Sequence, residues 1–146
     1  MKGVIQMQTS PSAGRYLGQL SNKIRRRMDT FNFNGEFSGA QGKILHFMLA
    51  QSEDVFQRDI EEAFSLRPPT ASEILKKMEQ NGLISRQPVS YDARLKKIVL
   101  LPKALQYKNR VTHDLACFEE ELAHGISPED MKVFYRVVEQ MLNNLS

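Results

Sequence analysis

Residues 74–101, ILKKMEQNGLISRQPVSYDARLKKIVLL, decide the fold because the spacing of the apolar residues changes partway along them. Before Gly82 the apolar residues recur at helical spacing, and Asn81-Gly82 predicts the left-handed end of a helix. After Gly82 the chain becomes extended and reaches the apolar run 98–101, which is typical of a strand. The polar segment 89–94 predicts a hairpin loop longer than a tight turn, and the proline directly after the apolar run ends the second strand.

Amphipathic helix patterns precede the hairpin, at about residues 40–49, 57–64 and 68–81. Ser38 with Gln41 predicts a capping box at the start of the first of these helices. Two consecutive prolines mark the start of the third, and Thr70 with Glu73 predicts a capping box that moves this start by a residue or two. Together with the hairpin, these helices predict a winged helix-turn-helix.

Further helix patterns flank this unit on both sides. The upstream pattern covers residues 17–31, before Asn and Gly residues break it, and two downstream patterns cover about 107–124 and 128–145. Ser127, Pro128 and the two acids that follow are a strong helix start. We therefore expect a mainly α fold, a winged helix-turn-helix with a β-hairpin wing and flanking N- and C-terminal helices.

The charge is unevenly distributed, although the formal net charge is only +3. Residues 66–110 hold ten Lys and Arg against three Asp and Glu, and residues 111–146 hold two against seven. The basic middle segment indicates a polyanionic partner. Composition alone permits nucleic acid, an anionic membrane surface or an acidic protein.

The helix that follows the two prolines is the candidate DNA-reading element. In a helix-turn-helix, the N-terminal half of the second helix meets base edges in the major groove, whereas lysines suit phosphate contacts. The candidate DNA contacts on this helix are Pro69, Thr70, Ser72, Glu73, Lys76 and Lys77. The alternative is that they are ordinary solvated positions of an amphipathic helix.

The hairpin carries the more specific signal. Asp92-Ala93-Arg94, with Lys96 close behind, places an arginine at the tip of a basic loop, where a narrow minor groove offers enhanced negative potential. A phosphate repels Asp92, so we interpret Asp92 as the residue that orients Arg94. Arg86 on the first strand is a further candidate DNA contact. The alternative is a surface ion pair without a functional role.

The whole run 74–101 resembles the recognition helix, wing and Asp-x-Arg motif of MarR-type transcriptional regulators. The residues that carry the resemblance are Met78-Glu79-Gln80-Asn81-Gly82-Leu83-Ile84 and Asp92-Ala93-Arg94. Element order and length extend it to about residues 15–146. Two departures are that the wing strand ends in Leu101-Pro102 where the family usually has Leu-Thr, and that the Pro68-Pro69 pair is not a family hallmark.

The resemblance implies a homodimer, built from the first helix and the last two, that binds a palindromic operator. It assigns Arg94 to the minor groove, Asp92 to the orientation of Arg94, and Thr70, Ser72 and Lys76 to the recognition helix. A repressor that a small apolar or aromatic effector releases is the expected activity. The aromatic and Met residues expected near the effector cleft are Phe31, Phe33, Phe37, Phe47 and Met48, with core packing as the alternative.

The expected organisation is one domain over residues 1–146, with a DNA-binding lobe at 38–101 and dimerisation helices at 13–34 and 103–146. So small a lobe cannot cover the apolar stripes of the flanking helices, which favours a partner chain. No apolar run is long enough for a membrane helix, and no secretory signal is evident. The single cysteine fits the reducing cytoplasm.

Two alternatives to a simple DNA-binding regulator stay open. One is a winged-helix module that binds protein and not DNA. The other is a thiol- or metal-sensing regulator, because His113 and Cys117 are four residues apart on one helix, although packing of Cys117 is the simpler interpretation. The sequence holds no nucleophile elbow, dinucleotide-binding motif or P-loop, so no enzyme activity, cofactor or metal is expected.

Overall fold

The computed structural model of the chain describes residues 10–31 and 37–146. The elements of this described part are α1 (Ala13–Met28), α2 (Gly39–Leu49), α3 (Gln57–Phe64), α4 (Pro68–Gln80), β1 (Ile84–Val89), β2 (Asp92–Leu100), α5 (Pro102–Leu105), α6 (Lys108–Leu122) and α7 (Pro128–Asn144). The two strands pair antiparallel. This order confirms the predicted mainly helical fold with a β-hairpin wing and flanking helices.

A shared hydrophobic core ties the helix-turn-helix to the flanking helices. Its fully buried members in the helix-turn-helix and wing root are Leu45, Ile60, Leu75, Met78 and Leu83. Met28 of α1 and Val111, Leu115 and Phe118 of α6 belong to the same buried cluster. Because α2 also packs against α6, the orientation of the helix-turn-helix depends on α1 and α6.

The end of α4 forms as the Asn-Gly pair predicts. Gly82 has φ +74°, a left-handed conformation that glycine adopts without strain. The Leu83 N–H donates to the Met78 carbonyl and the Gly82 N–H donates to the Glu79 carbonyl, each at 3.0 Å. This double pattern is a Schellman motif, with Met78 and Leu83 in its apolar contact. It fixes the direction in which the chain leaves α4 for β1.

The start of α4 differs from the predicted capping box. The helix begins directly at Pro68, with Arg67 as its N-cap, so Thr70 and Glu73 lie inside the first two turns. Prolines in the first two helical positions have no N–H group, so two of the donors that a cap would satisfy do not exist. A Thr70–Glu73 box would therefore add little, and the prediction of one is wrong.

The start of α2 is confirmed at Ser38, whose Oγ accepts from the Gln41 backbone N–H at 3.3 Å. The other half of the predicted capping box is replaced by a contact between helices. The Gln41 side chain, which is buried, uses its Oε1 to accept from Asn81 Nδ2 at 3.1 Å. This bond joins α2 to the end of α4.

The first two helices meet at a glycine. A Cβ placed on Gly39 would lie 2.0 Å from the Met28 carbonyl oxygen, so only glycine fits this junction. The upstream pattern predicts a helix to Phe31, but α1 ends at Met28 and the chain turns there, with the Phe31 N–H donating to the Met28 carbonyl at 3.0 Å. The predicted helix breakers at 32–35 lie outside the described residues.

An ion pair between α1 and α6 reinforces this arrangement. Arg27 donates from its guanidinium to the Glu121 carboxylate. This hydrogen bond lowers the pKa of Glu121 and raises the pKa of Arg27 from their ordinary values. Since both side chains are about half exposed, the pair adds only modest stability at neutral pH.

The hairpin turn is shorter than the sequence predicts. Val89 pairs with Asp92, which leaves a two-residue turn at 90–91. One step along β1, Pro88 pairs with Lys96, so residues 93–95 of β2 have no opposite partner and form a bulge. The Leu101 N–H donates to the Leu83 carbonyl while the Ile98 N–H donates away from β1 to Val55, so Pro88 and Lys96 form a non-hydrogen-bonded pair in which a missing N–H costs the ladder nothing. The polar residues that were expected in a long loop therefore lie in a tight turn and a strand bulge.

The downstream helices include one turn of helix that the sequence pattern did not predict, α5, directly after the proline that ends β2. Ser127 caps α7 as predicted, since its Oγ accepts from the Asp130 N–H at 3.1 Å. No residue of α7 is buried, and apolar side chains along it are exposed. Among the described residues, no helix has both the length and the apolar character that crossing a membrane requires.

Candidate nucleic-acid interface

Helix α4 turns one polar face to solvent. Its buried side is apolar and consists of Ala71, Leu75 and Met78, none of which is exposed. The candidate contacts on the opposite side, all of them exposed, are Pro69, Thr70, Ser72, Glu73, Lys76 and Lys77. The face of α4 that the sequence predicts to read DNA is therefore the face that is available to a partner.

The C-terminal end of α4 is held by two other elements. Lys103 of α5 donates from Nζ to the Asn81 carbonyl at 2.8 Å, and the Asn81 side chain bonds Gln41 of α2. A lysine at a helix C-terminus also opposes the negative end of the helix dipole. These contacts fix the end of α4 relative to α2 and α5.

The wing presents a single arginine in its bulge. The Arg94 side chain is 94% exposed, and the carboxylate of Asp92 lies beside it. Asp92 Oδ1 accepts from the Arg94 backbone N–H at 2.9 Å and lies 3.5 Å from Arg94 Nε. Asp92 thus shapes the bulge through the backbone and keeps the base of the guanidinium close. The structure brings these two predicted residues together as the sequence interpretation requires.

A basic groove separates the wing from α3. Its volume is about 520 Å³, and Gln57 and Arg58 on α3 face Tyr91, Arg94 and Lys96 on the wing. Gln57 also donates from Nε2 to the carbonyl of Pro68 at 3.4 Å, so the start of α4 adjoins the same groove. Gln57 therefore links the start of α4 to the basic groove that the Arg94 bulge lines.

Arg86 is the candidate DNA contact whose side chain is held by neighbouring side chains. Its side chain is 26% exposed, and its Nε lies 3.1 Å from Glu79 Oε1. Nη1 donates to Gln57 Oε1 at 3.3 Å. The buried Nε–H does not point along a hydrogen bond to any acceptor of the described residues, so its contact with Glu79 is electrostatic. Arg86 lies at this surface but is already engaged with two neighbouring side chains.

Sequence reasoning missed Gln57, Arg58 and Lys103 at this surface. Arg58 is exposed in the groove, Gln57 connects α3 to α4, and Lys103 holds the end of α4. The charge of Arg58 and Lys103 was a visible signal, but their positions depend on how α3 and α5 pack against the hairpin. Gln57 carried no signal, because a neutral amide at the start of a short helix is ordinary.

The Cys117 thiol and the His113 ring are in contact on the surface of α6. Sγ and Nε2 are 3.5 Å apart, and both side chains are exposed, so Cys117 does not pack in the core of the single chain. Over residues 10–31 and 37–146, no cluster of three or more His, Cys, Asp or Glu side chains has the arrangement of a metal site.

The aromatic and Met residues expected near an effector cleft pack against other side chains of the chain. Phe37 and Met48 are buried in the core, while Phe31 packs on Phe118 and Phe47 on Phe64. Phe33 lies outside the described residues.

The main open groove between the helix-turn-helix and the flanking helices has a volume of about 700 Å³ and lies between α1, α2 and α7. Its lining includes Leu17, Leu20, Ile24, Met28, Phe134 and Leu142.

The helix α4, the Schellman end and the paired strands define this chain as a winged helix-turn-helix protein. The MarR family model matches residues 38–96, which run from the cap of α2 to the end of the wing bulge. The resemblance to MarR-type transcriptional regulators is thereby confirmed.

Solved structures of the same class match over nearly the whole chain. The transcription regulator MarR from Oenococcus oeni PSU-1 is 26% identical, with a TM-score of 0.79, over 90% of this chain and 99% of that one. S. aureus MepR in a complex with DNA is 23% identical, with a TM-score of 0.83, over 94% of this chain and all of that one. A MarR protein from Peptoclostridium difficile is 14% identical, with a TM-score of 0.83, over 99% of this chain and 94% of that one. The matching family model is that of the MarR family, and the 26% identical structure is a transcription regulator.

Proposed function

We propose that this protein is a sequence-specific, double-stranded DNA-binding regulator of transcription that acts in the cytoplasm as a homodimer on an inverted-repeat operator. The observation that carries the proposal is the Arg94 guanidinium, which is 94% exposed, held near its base by Asp92, and part of a basic groove whose Gln57 contacts the start of α4. A similar structure, MepR, is solved with DNA bound.

Helix α4 and the wing contact different grooves of the duplex. Thr70, Ser72 and Glu73 on the first turns of α4 supply donors and acceptors for base edges in the major groove. Lys76 and Lys77 follow on the same exposed face and suit phosphates. Arg94 enters the adjacent minor groove, where a narrow A·T-rich segment concentrates negative potential.

The flanking helices supply the second copy. α7 buries none of its residues within one chain, and Phe134, Val138 and Leu142 line the open groove between α1 and α7. So large an apolar surface is unfavourable in water, and a two-fold partner covers it with an identical surface. The dimer then places two α4 helices about one DNA turn apart, roughly 34 Å.

A repressor released by a small apolar or aromatic effector is the form of regulation that the fold supports best. The open groove lies between the dimerisation helices and the DNA-reading elements. Ala40 and Lys43 of α2 line it on the side next to α1. A ligand in this groove would bind more tightly to a dimer whose α4 helices are wrongly spaced for two successive major grooves. It would therefore increase the population of that dimer and release the DNA.

Selection of bound duplexes from a random DNA pool tests the proposal. The expected result is an inverted repeat with half-site centres roughly 10 bp apart. Light scattering on the purified protein should give twice the chain mass. Selection of no sequence, or of a sequence without two-fold symmetry, contradicts the proposal and favours a winged-helix module that binds protein.

A further inference from the structure

The root of the wing is bonded to α3 and α4 through one arginine. Arg86 leaves β1 and reaches Gln57 on α3 and Glu79 near the end of α4. Gln57 in turn uses its Nε2 to contact the Pro68 carbonyl at 3.4 Å and Glu61 Oε2 at 3.0 Å. A single amide therefore bridges the start of α4 and the side chain that anchors the wing.

We propose that Arg86 and Gln57 are positioning residues that set the separation between the polar face of α4 and the Arg94 bulge. This inference rests on the proposed function, and it replaces a direct DNA contact as the role of Arg86. The electrostatic reason is that Glu79, 3.1 Å away, offsets the charge of Arg86, so an approaching phosphate meets a nearly neutral pair. Arg94 differs because its guanidinium is almost entirely exposed.

The geometry gives the pair a mechanical role. The helix and the wing must enter two adjacent grooves of one duplex at the same time, so the distance between them affects specificity. β1 and β2 are a two-stranded ribbon, which is marginally stable without packing on a neighbour. Ile98 of β2 bridges to Val55, and Arg86 adds polar contacts from β1 to α3 and α4. A wing without this contact is less ordered before it binds. Ordering it then costs free energy each time that Arg94 binds DNA, which weakens the affinity.

The variant Arg86→Lys separates positioning from contact, because a lysine keeps the charge but cannot span Gln57 and Glu79 with a planar fork. For a positioning role, we expect about fivefold or greater loss of affinity for the selected duplex. A phosphate contact predicts that the lysine retains both the affinity and the slope of log affinity against log salt. Retention of both therefore overturns the inference.

Gln57→Ala is the matched second variant, because it removes no charge and lies on a different element. We expect it to weaken binding in the same direction, and unchanged affinity contradicts the inference. A double-mutant cycle with Arg94→Ala completes the set. In the Arg94→Ala background, Arg86→Lys should change affinity by less than about twofold, whereas independent contacts give additive losses.

Hydrogen–deuterium exchange without DNA gives a readout that does not depend on the proposed function. In Arg86→Lys, amides of residues 84–100 should exchange several times faster than in the parent, while amides of α6 keep their rates and show that the fold is intact. Unchanged exchange in the wing overturns the inference. If the parent selects no duplex but the wing exchanges faster, the proposed function fails and the positioning contact stands.

Discussion

Asp92 holds Arg94 mainly through the backbone and only weakly through the side chain. The carboxylate accepts from the Arg94 N–H at 2.9 Å, whereas the Arg94 Nε is 3.5 Å away. A hydrogen bond from an Asp side chain to the backbone two residues on is a common way to fix a turn or bulge. Asp92 therefore determines where Arg94 leaves the strand but leaves most of the guanidinium free for a ligand.

This arrangement predicts unequal effects for the two residues. Arg94→Ala should weaken binding of the selected duplex by about 1–3 kcal/mol, because it removes the minor-groove group itself. Asp92→Ala should weaken binding less, since the arginine is still present on a less ordered bulge. Gel-shift titrations at fixed salt measure both. If neither variant differs from the parent, the wing is not part of the interface.

Lys76 is expected to contribute affinity without sequence information. Lys76→Ala should lower the slope of log affinity against log salt by about one, because each phosphate contact releases roughly one counterion. Lys132→Ala is the matched control, since this exposed lysine lies on α7. Titrations at several salt concentrations separate the two variants. Equal slopes for Lys76→Ala and the parent remove Lys76 from the phosphate contacts.

The sequence predicted elements whose cause is local. The end of α4 follows from a glycine that adopts φ +74°, and α7 begins where a serine cap and a proline coincide. The polar face of α4 was predictable too, because helical spacing alone separates Ala71, Leu75 and Met78 from the residues between them.

The sequence did not predict features that depend on pairing between distant residues. The bulge at 93–95 follows from the register in which β2 pairs with β1, and no pattern within β2 itself indicates it. The engagement of Arg86 also escaped prediction, because its partners Glu79 and Gln57 come from two other elements. A cationic side chain in a basic segment resembles a DNA contact until its neighbours are known.

The close contact between α1 and α2 at Gly39 predicts that one added methyl group lowers the stability of the protein. Gly39→Ala should lower the free energy of unfolding by about 1–3 kcal/mol, because the new methyl group meets the Met28 carbonyl oxygen at 2.0 Å and the two helices must separate. Gly18→Ala is the control within α1, where a Cβ has no neighbour within 4 Å. It should be neutral or stabilise the helix by up to about 1 kcal/mol. Urea unfolding at one protein concentration compares them, and equal effects contradict the close contact.

The ion pair of Arg27 and Glu121 predicts a specific loss of stability in acid. The pKa of Glu121 is lowered in the folded protein by its hydrogen bond to Arg27. Its contribution is therefore present above the ordinary carboxyl pKa of 4.5 and is lost as the pH falls through the lowered value. Glu121→Gln should be less stable than the parent at about pH 7, and the difference should narrow as the pH falls below 4.5 and through the lowered pKa of Glu121. Glu120→Gln, one position away on α6, is the control and should keep the acid dependence of the parent. Thermal unfolding across this pH range measures the difference, and a constant gap between Glu121→Gln and the parent shows that the pair does not titrate with folding.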